Sequence, residues 1–458
     1  MRILICGAGQ VGFGIAERLA VEGNDVSVVD SSPRLIQSIT ETLDVRGLVG
    51  HGAHPDVLAR AGADQADMII AVTLHDEVNM VACQVASSLF NIPTKIARIR
   101  AQSYLAPEYG DLFSRENLPI DVIISPEVEV GEMVLRRLAL PGAFDTADFA
   151  DERVVVAGVT CDENCPIVDT PLSQLTDLFP DLTATIVAIY RNGQLFVPRG
   201  ADSLLVGDIA YLAADVRHIA RTLSIFGHEE KAATRVVIAG GGNIGIYVAR
   251  ELEQRQRSTR VKLIESSRER AIAIAEDLER TIVLHGSALD EELLREADIG
   301  DADTIVSLTN NDEVNILSSL LALRLGAGRA LCLVNNSGYP DLTRDLGIQA
   351  YINPRQVTMS RILQHVRRGR IRGVHSIQNG AAEIIEAEAL ETSPLVGKPL
   401  RELDIFEGLR IGAILRDKKL IIPRGSTVIE PRDRIVICAL ADEVRRVEQM
   451  FRVSIEFF

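Results

Sequence analysis

The sequence repeats itself at two levels, and this symmetry constrains the fold more than any other feature. The segment Arg2-Ile-Leu-Ile-Cys-Gly-Ala-Gly-Gln-Val-Gly12 returns as Arg235-Val-Val-Ile-Ala-Gly-Gly-Gly-Asn-Ile-Gly245. Val26-Ser-Val-Val-Asp30 returns as Val261-Lys-Leu-Ile-Glu265, and His51-Gly52 as His285-Gly286. Met68 to Thr73 with Asp76-Glu-Val-Asn79 matches Thr304 to Thr309 with Asp312-Glu-Val-Asn315. The spacing between equivalents drifts only between 233 (Gly12 to Gly245) and 236 (Thr73 to Thr309). The intervening stretch repeats too. Ile186 to Gly200 aligns with Ile411 to Gly425, and each is followed by an acidic turn and an apolar strand, Gly207 to Leu212 and Arg432 to Ile437. The order is A–B–A′–B′, which divides the chain into residues 1–140, 141–230, 231–370 and 371–458.

In the first A segment, β-rich runs at Arg2–Cys6, Asp25–Asp30, Val45–Val49, Met68–Val72, Ile96–Ile99 and Val122–Ile124 alternate with helical spacing such as Gln10–Glu22. Strands alternating with helices imply βαβ units and a parallel sheet covered on both faces. The B segments have short strands joined by polar turns, Arg191-Asn-Gly-Gln and Arg416-Asp-Lys-Lys. The expected fold class is α/β: two Rossmann-like parallel-sheet domains, each followed by a small α+β domain.

Gly7-Ala8-Gly9-Gln10-Val11-Gly12 follows a strand and opens a helix, the context a dinucleotide-binding glycine loop requires. Gly7 permits the tight turn, Gly9 lets backbone approach a pyrophosphate, and Gly12 lets helix pack on strand. Free N–H groups and the helix dipole then favour a diphosphate there. Asp30 ends the second strand 18 residues after Gly12. A carboxylate at that place accepts hydrogen bonds from ribose hydroxyls and repels a 2′-phosphate, which favours NAD or another adenine nucleotide over NADP. Gly240-Gly241-Gly242-Asn243-Ile244-Gly245 with Glu265 repeats the pattern; the alternative for either copy is a glycine turn that only packs the fold. Thr73 and Leu74 lie beyond the fourth strand, at the edge where such sheets bind ligands, and Gly52 follows the third. His51 reads as packed or solvent-facing rather than as a ligand. Arg98, in an apolar strand, needs an anionic partner, and Leu333 replaces it in the second copy.

Composition narrows the function. The formal charge of −16 opposes nucleic-acid phosphates, and 4% aromatics with no Trp leave little for base stacking. The longest uncharged stretch, Val78 to Thr94, is 17 residues and is too short and too polar to span a bilayer. The amino terminus enters a strand at once, so no signal peptide is expected, and six scattered cysteines read as free thiols of a reducing cytoplasm. The eight His form no constellation with carboxylates in a separate substrate domain, no Cys/His spacing suggests zinc, and no Walker lysine follows the glycines. A duplicated nucleotide module without catalytic apparatus reads as a sensor; the alternatives are a nicotinamide-dependent oxidoreductase with duplicated cofactor domains and a paralogue that binds no nucleotide.

These motifs, with Gly50-His-Gly-Ala-His-Pro55, Asp76 to Ala86, Ile96-Ala-Arg-Ile-Arg100 and the terminal Phe457-Phe458, resemble the RCK/KTN family over essentially the whole length. The likeness is to its tandem form, which serves the bacterial Trk potassium-uptake system. It implies RCK amino- and carboxy-terminal domains in duplicate and a non-enzymatic regulatory subunit, peripheral on the inner face of the plasma membrane. That subunit would gate an integral-membrane Trk partner as a homotetrameric ring. It implies NAD(H), with ATP/ADP as alternatives, at Gly7 through Val11, Asp30, Thr73, Leu74 and Arg98, and at Ala239 through Asn243 and Glu265. The B segments resemble the ligand-binding half of RCK proteins, here without a calcium-loop spacing.

Overall fold

The computed structural model describes residues 1–179, 182–336, 338–339, 342–343, 346–348, 350–366, 371–403 and 407–451; Phe457-Phe458 lies outside them. Strands β1 (Arg2–Cys6), β2 (Asp25–Asp30), β3 (Arg46–Val49), β4 (Met68–Ala71), β5 (Thr94–Arg98) and β6 (Val122–Ile124) form a parallel sheet ordered β3-β2-β1-β4-β5-β6. This is the Rossmann order, and its switch point lies between β1 and β4, so a crevice opens at their carboxyl ends. Helices α1 (Gln10–Val21), α2 (Asp76–Phe90) and α3 (Pro126–Ala139) belong to this copy.

Alternation along the strands assigns their two faces. Ile3 and Ile5 face α1 with Ile15, Ala16 and Leu19, whereas Leu4 and Cys6 face α2 with Met80, Ala82 and Cys83. Burial among these side chains pushes the Cys6 thiol up to about 12, and all six cysteines are buried and free.

The first small sheet holds β7 (Asp145–Phe149), β8 (Val154–Thr160), β9 (Ala184–Arg191), β10 (Gln194–Phe196) and β11 (Ile209–Asp215), antiparallel in the order β10-β9-β11-β8-β7. The second copy repeats the parallel sheet with β12 (Arg235–Ala239), β13 (Arg260–Glu265), β14 (Ile282–His285), β15 (Thr304–Ser307), β16 (Ala330–Leu333) and β17 (Ala350–Ile352). Its corresponding helices are α4 (Asn243–Arg255), α5 (Asp312–Arg324) and α6 (Pro354–Val366). The last sheet, β18 (Ile371–Ile377), β19 (Ala382–Glu388), β20 (Leu409–Arg416), β21 (Lys419–Ile421) and β22 (Arg434–Leu440), has the order β18-β19-β22-β20-β21. The two antiparallel sheets pack face to face: a Cβ on Gly412 would lie 2.7 Å from the Ala213 Cβ. The acidic turn residues have a structural task. Asp208 and Asp433 are buried, and each takes a two-pronged pair of hydrogen bonds, from Arg191 at 2.8 and 2.6 Å and from Arg416 at 2.9 and 2.7 Å.

Helices α3 and α6 do not stay with their own copies. Pro126 suits the first turn of α3, Glu127 and Glu129 meet the positive end of its dipole, and Arg136 and Arg137 meet the negative end. Its buried stripe Val130, Val134, Leu135 and Leu138 enters the core of the second parallel sheet, beside Val248, Ala249 and Leu252 of α4. In return, Ile362 and Val366 of α6 enter the core of the first, beside Ile15 and Leu19. Each parallel sheet is thus closed on one face by a helix of the other copy.

Candidate functional site

The glycine loop between β1 and α1 has the conformation its chemistry demands. Gly7 has φ +114°, and a Cβ there would lie 2.9 Å from the Val72 carbonyl carbon. A Cβ on Gly12 would lie 1.8 Å from the Gly7 carbonyl oxygen. At Gly9 the opposite holds: no atom lies within 4 Å of where a Cβ would stand, and Gly9 and Gln10 are exposed at the start of α1. This open cradle over a helix amino terminus fits the diphosphate of a dinucleotide. Ala8 is buried, Val11 is half-buried against the core, and Gly52 is buried against Cys6. His51 is exposed and stacks on His54 with ring centroids 4.5 Å apart.

Asp30 ends β2 beside this loop and is half-buried. Its Oδ2 accepts from the Ala8 N–H and its Oδ1 from the Ser32 N–H, both at 2.8 Å. Two backbone donors fix the carboxylate while the remaining lone pairs stay available to a ribose. Arg98, at the end of β5, donates from Nη2 to the Thr73 carbonyl at 2.8 Å, and its buried Nε has no partner. Burial and the neighbouring Arg100 lower its pKa, while Glu127 and Asp76 raise it. An unsatisfied buried guanidinium donor is the observation that most calls for an anion here. Leu74 is 77% exposed beside it.

Sequence reasoning missed what shapes this edge. Asn79, fully buried in α2, accepts from the Thr73 N–H at 2.8 Å and the Thr73 hydroxyl at 2.7 Å, and donates to the Arg98 carbonyl at 2.9 Å. Asp76 accepts from the Arg100 and Ala101 N–H groups at 2.9 and 2.8 Å. The repeated Asp-Glu-Val-Asn was the available signal.

The second loop copies the first in backbone but not in accessibility. Gly240 has φ +111°, Gly242 has open space about its Cα, and Asn243 is exposed. Ala239 is buried at the end of β12, its carbonyl taken by the Leu308 N–H, and Ile244 packs on the core. Glu265, one methylene longer than Asp30, is only 8% exposed and accepts from the Gly241 N–H at 2.9 Å and the Ser267 N–H at 2.7 Å. Arg270 donates to the Gly241 carbonyl at 2.7 Å, and Leu333 occupies the place of Arg98. No helix among the described residues is long and apolar enough to cross a membrane.

Comparisons with known proteins give these features a family. The TrkA-N domain model matches residues 3–126 and 236–354, and the TrkA-C domain model matches 156–227 and 384–452. The chain is 65% identical over 458 residues to the Trk system potassium uptake protein TrkA of Azorhizobium caulinodans, covering 100% of both chains. It is 42% identical to the protein of the same name from Halomonas elongata, again over 100% of both. Among solved structures, the GsuK RCK domain superposes with a TM-score of 0.60 at 19% identity, covering 98% of this chain and 94% of that one. A GsuK channel bound to NAD gives 0.60 at 19%, covering 98% and 78%. The relatives are named for potassium uptake, which sets the regulatory reading above the oxidoreductase one. With full-length identity and both domain models matched twice, the chain belongs to the TrkA family of Trk-system potassium uptake proteins.

Proposed function

We propose that the chain senses NAD(H) through its first glycine loop and gates a Trk potassium-translocating membrane subunit from the inner face of the membrane. In this reading Gly7 through Gly12 hold the diphosphate, Asp30 holds the ribose, and Arg98 with Thr73 and Leu74 closes the crevice. The open Gly9 cradle beside the Asp30 carboxylate, which the Ala8 and Ser32 N–H groups hold in place, is the observation that carries it. The GsuK channel that superposes on this fold is described as bound to NAD, which supports the choice of ligand. ATP and ADP are the competing ligands of the same crevice, since they share the diphosphate and ribose. Buried Glu265 and the absence of a cation at Leu333 make the second loop the weaker site. The units 1–140, 141–230, 231–370 and 371–458 act as sensing and contact domains in turn, and a homotetrameric ring carries the signal.

The physical mechanism is a population shift: a nucleotide biases the ring only by binding its two shapes unequally, about 1.4 kcal/mol for each tenfold preference. Gly9→Glu adds a side chain where space is open and φ is ordinary (−65°), so it folds normally while filling the cradle with negative charge. Gly9→Glu and Asp30→Ala should each abolish the nucleotide response of potassium uptake in cells lacking their own copy, with the protein still folded. Uptake that responds normally in both variants contradicts the proposal.

A further inference from the structure

The two copies meet through helices at equivalent positions: α1 against α6, and α4 against α3. Gly14 of α1 corresponds to Tyr247 of α4, and Gly131 of α3 to Met359 of α6. A Cβ on Gly14 would lie 2.5 Å from the Met359 Sδ, and a Cβ on Gly131 would lie 2.3 Å from the Tyr247 Cδ1. Both contacts therefore seat a large side chain in a glycine notch. The notch is on the glycine-loop helix in one contact and on the crossing helix in the other. Each half carries two notches or two knobs: the first half has Gly14 and Gly131, the second Tyr247 and Met359.

Charge follows the same rule. Glu132 of α3 accepts from the Tyr247 hydroxyl at 2.6 Å and from Arg255 at 2.7 Å. The residue equivalent to Arg255 is Glu22, and the residue equivalent to Glu132 is Ser360. Glu129 of α3 accepts from Arg361 of α6 at 3.1 Å, and their equivalents are Val357 and Met133.

We propose that this surface is a pairing code that admits a first half only against a second half. Two first halves would leave paired voids at Gly14 and Gly131 and would set Glu22 against Glu132. Two second halves would force Tyr247 onto Met359, take Glu132 from Arg255 and leave it only Glu251 of its own helix, and set Arg361 against Val357. Like pairing thus loses packing or collides, and loses both ion pairs, whereas unlike pairing satisfies all of them. The preferred occupant of either face is the unlike half of the same chain, held near by residues 141–230. A second chain must dock through another face or exchange unlike halves.

The test uses the full-length chain in three arms. Gly14→Tyr should lower the melting midpoint by several degrees, and adding Met359→Gly, which recreates the Tyr–Gly pair of the other contact, should restore more than half of the loss. Where Gly14→Tyr does not fold, Glu132→Arg and its partner reversal Arg255→Glu give the same cycle in charge: each alone lowers the midpoint and the pair recovers it. A double variant no better than its worse single overturns the code in either cycle. In the third arm, Gly14→Cys with Met359→Cys should form a disulfide under mild oxidation, whereas Gly14→Cys with Gly131→Cys should not link chains. Chains joined through positions 14 and 131 would show like pairing and refute the proposal.

Discussion

Asn79 and Asn315 are both fully buried, and each ties a threonine after the fourth strand of its sheet to the end of the fifth. Their amides use both donors and accept twice, so a leucine of similar size would leave the Thr73 N–H and the Arg98 carbonyl without partners. Asn79→Leu should cost about 2–3 kcal/mol of stability, read as an earlier denaturant transition, and should weaken nucleotide binding. An unchanged transition would show that water replaces the amide. Asp303 works at the opposite edge of the second sheet. Burial pushes its carboxyl up, but hydrogen bonds from Thr234 and Arg235 win and hold it at about 2, against 3.8 ordinarily. Because its folded pKa is the lower one, its contribution is complete above pH 3.8 and is lost as pH falls through about 2. Asp303→Asn should therefore melt earlier than the parent at neutral pH, with the gap closing toward pH 2; a gap independent of pH contradicts this.

At the scale of elements, strands such as β1 and β4 are legible because runs such as Ile3-Leu-Ile-Cys and Met68-Ile-Ile-Ala are apolar without alternation, as strands buried on both faces require. The glycine loop is legible because Gly7 and Gly12 answer to backbone sterics that only glycine meets. The destination of α3 is not legible. Its stripe Val130, Val134, Leu135 and Leu138 announces a buried face, yet periodicity says nothing of which sheet covers it. The different exposure of Asp30 and Glu265 is hidden for a related reason: one methylene and the reach of Arg270 decide it, and neither shows in a motif. Glycine in a helix interior costs about 1 kcal/mol against alanine, so Gly12 and Gly14 need packing reasons, and the structure supplies them. Gly12→Ala should abolish folding of the first half, since its Cβ would overlap the Gly7 carbonyl, whereas Gly62→Ala would strain only a local φ of +92° in open space. Circular dichroism and proteolysis separate the two; equal tolerance would contradict the packing argument.

At the scale of the whole molecule, the glycine-loop helix of the first site is bolted to the far end of the chain. Arg18 of α1 pairs with buried Glu383 of β19, and Arg445 donates to the Val21 carbonyl at the end of α1. The amino end of α1 faces the crevice, so a nucleotide that tilts this helix also loads the second carboxy-terminal sheet. Among the described residues the second copy shows no such bolt: Arg255 of α4 holds Glu132 of α3 instead. The two sites are therefore built unequally, and their occupancy separates the account from its rivals. The most direct measurement is calorimetric titration of the full chain with NADH, NAD⁺, ATP and ADP, repeated on Asp30→Ala and Glu265→Ala. A sensing role for the first loop predicts one tight site per chain, unequal affinities within a nucleotide pair, no turnover, and loss of the tight site in Asp30→Ala alone. No binding, or tight binding that survives Asp30→Ala, would contradict it.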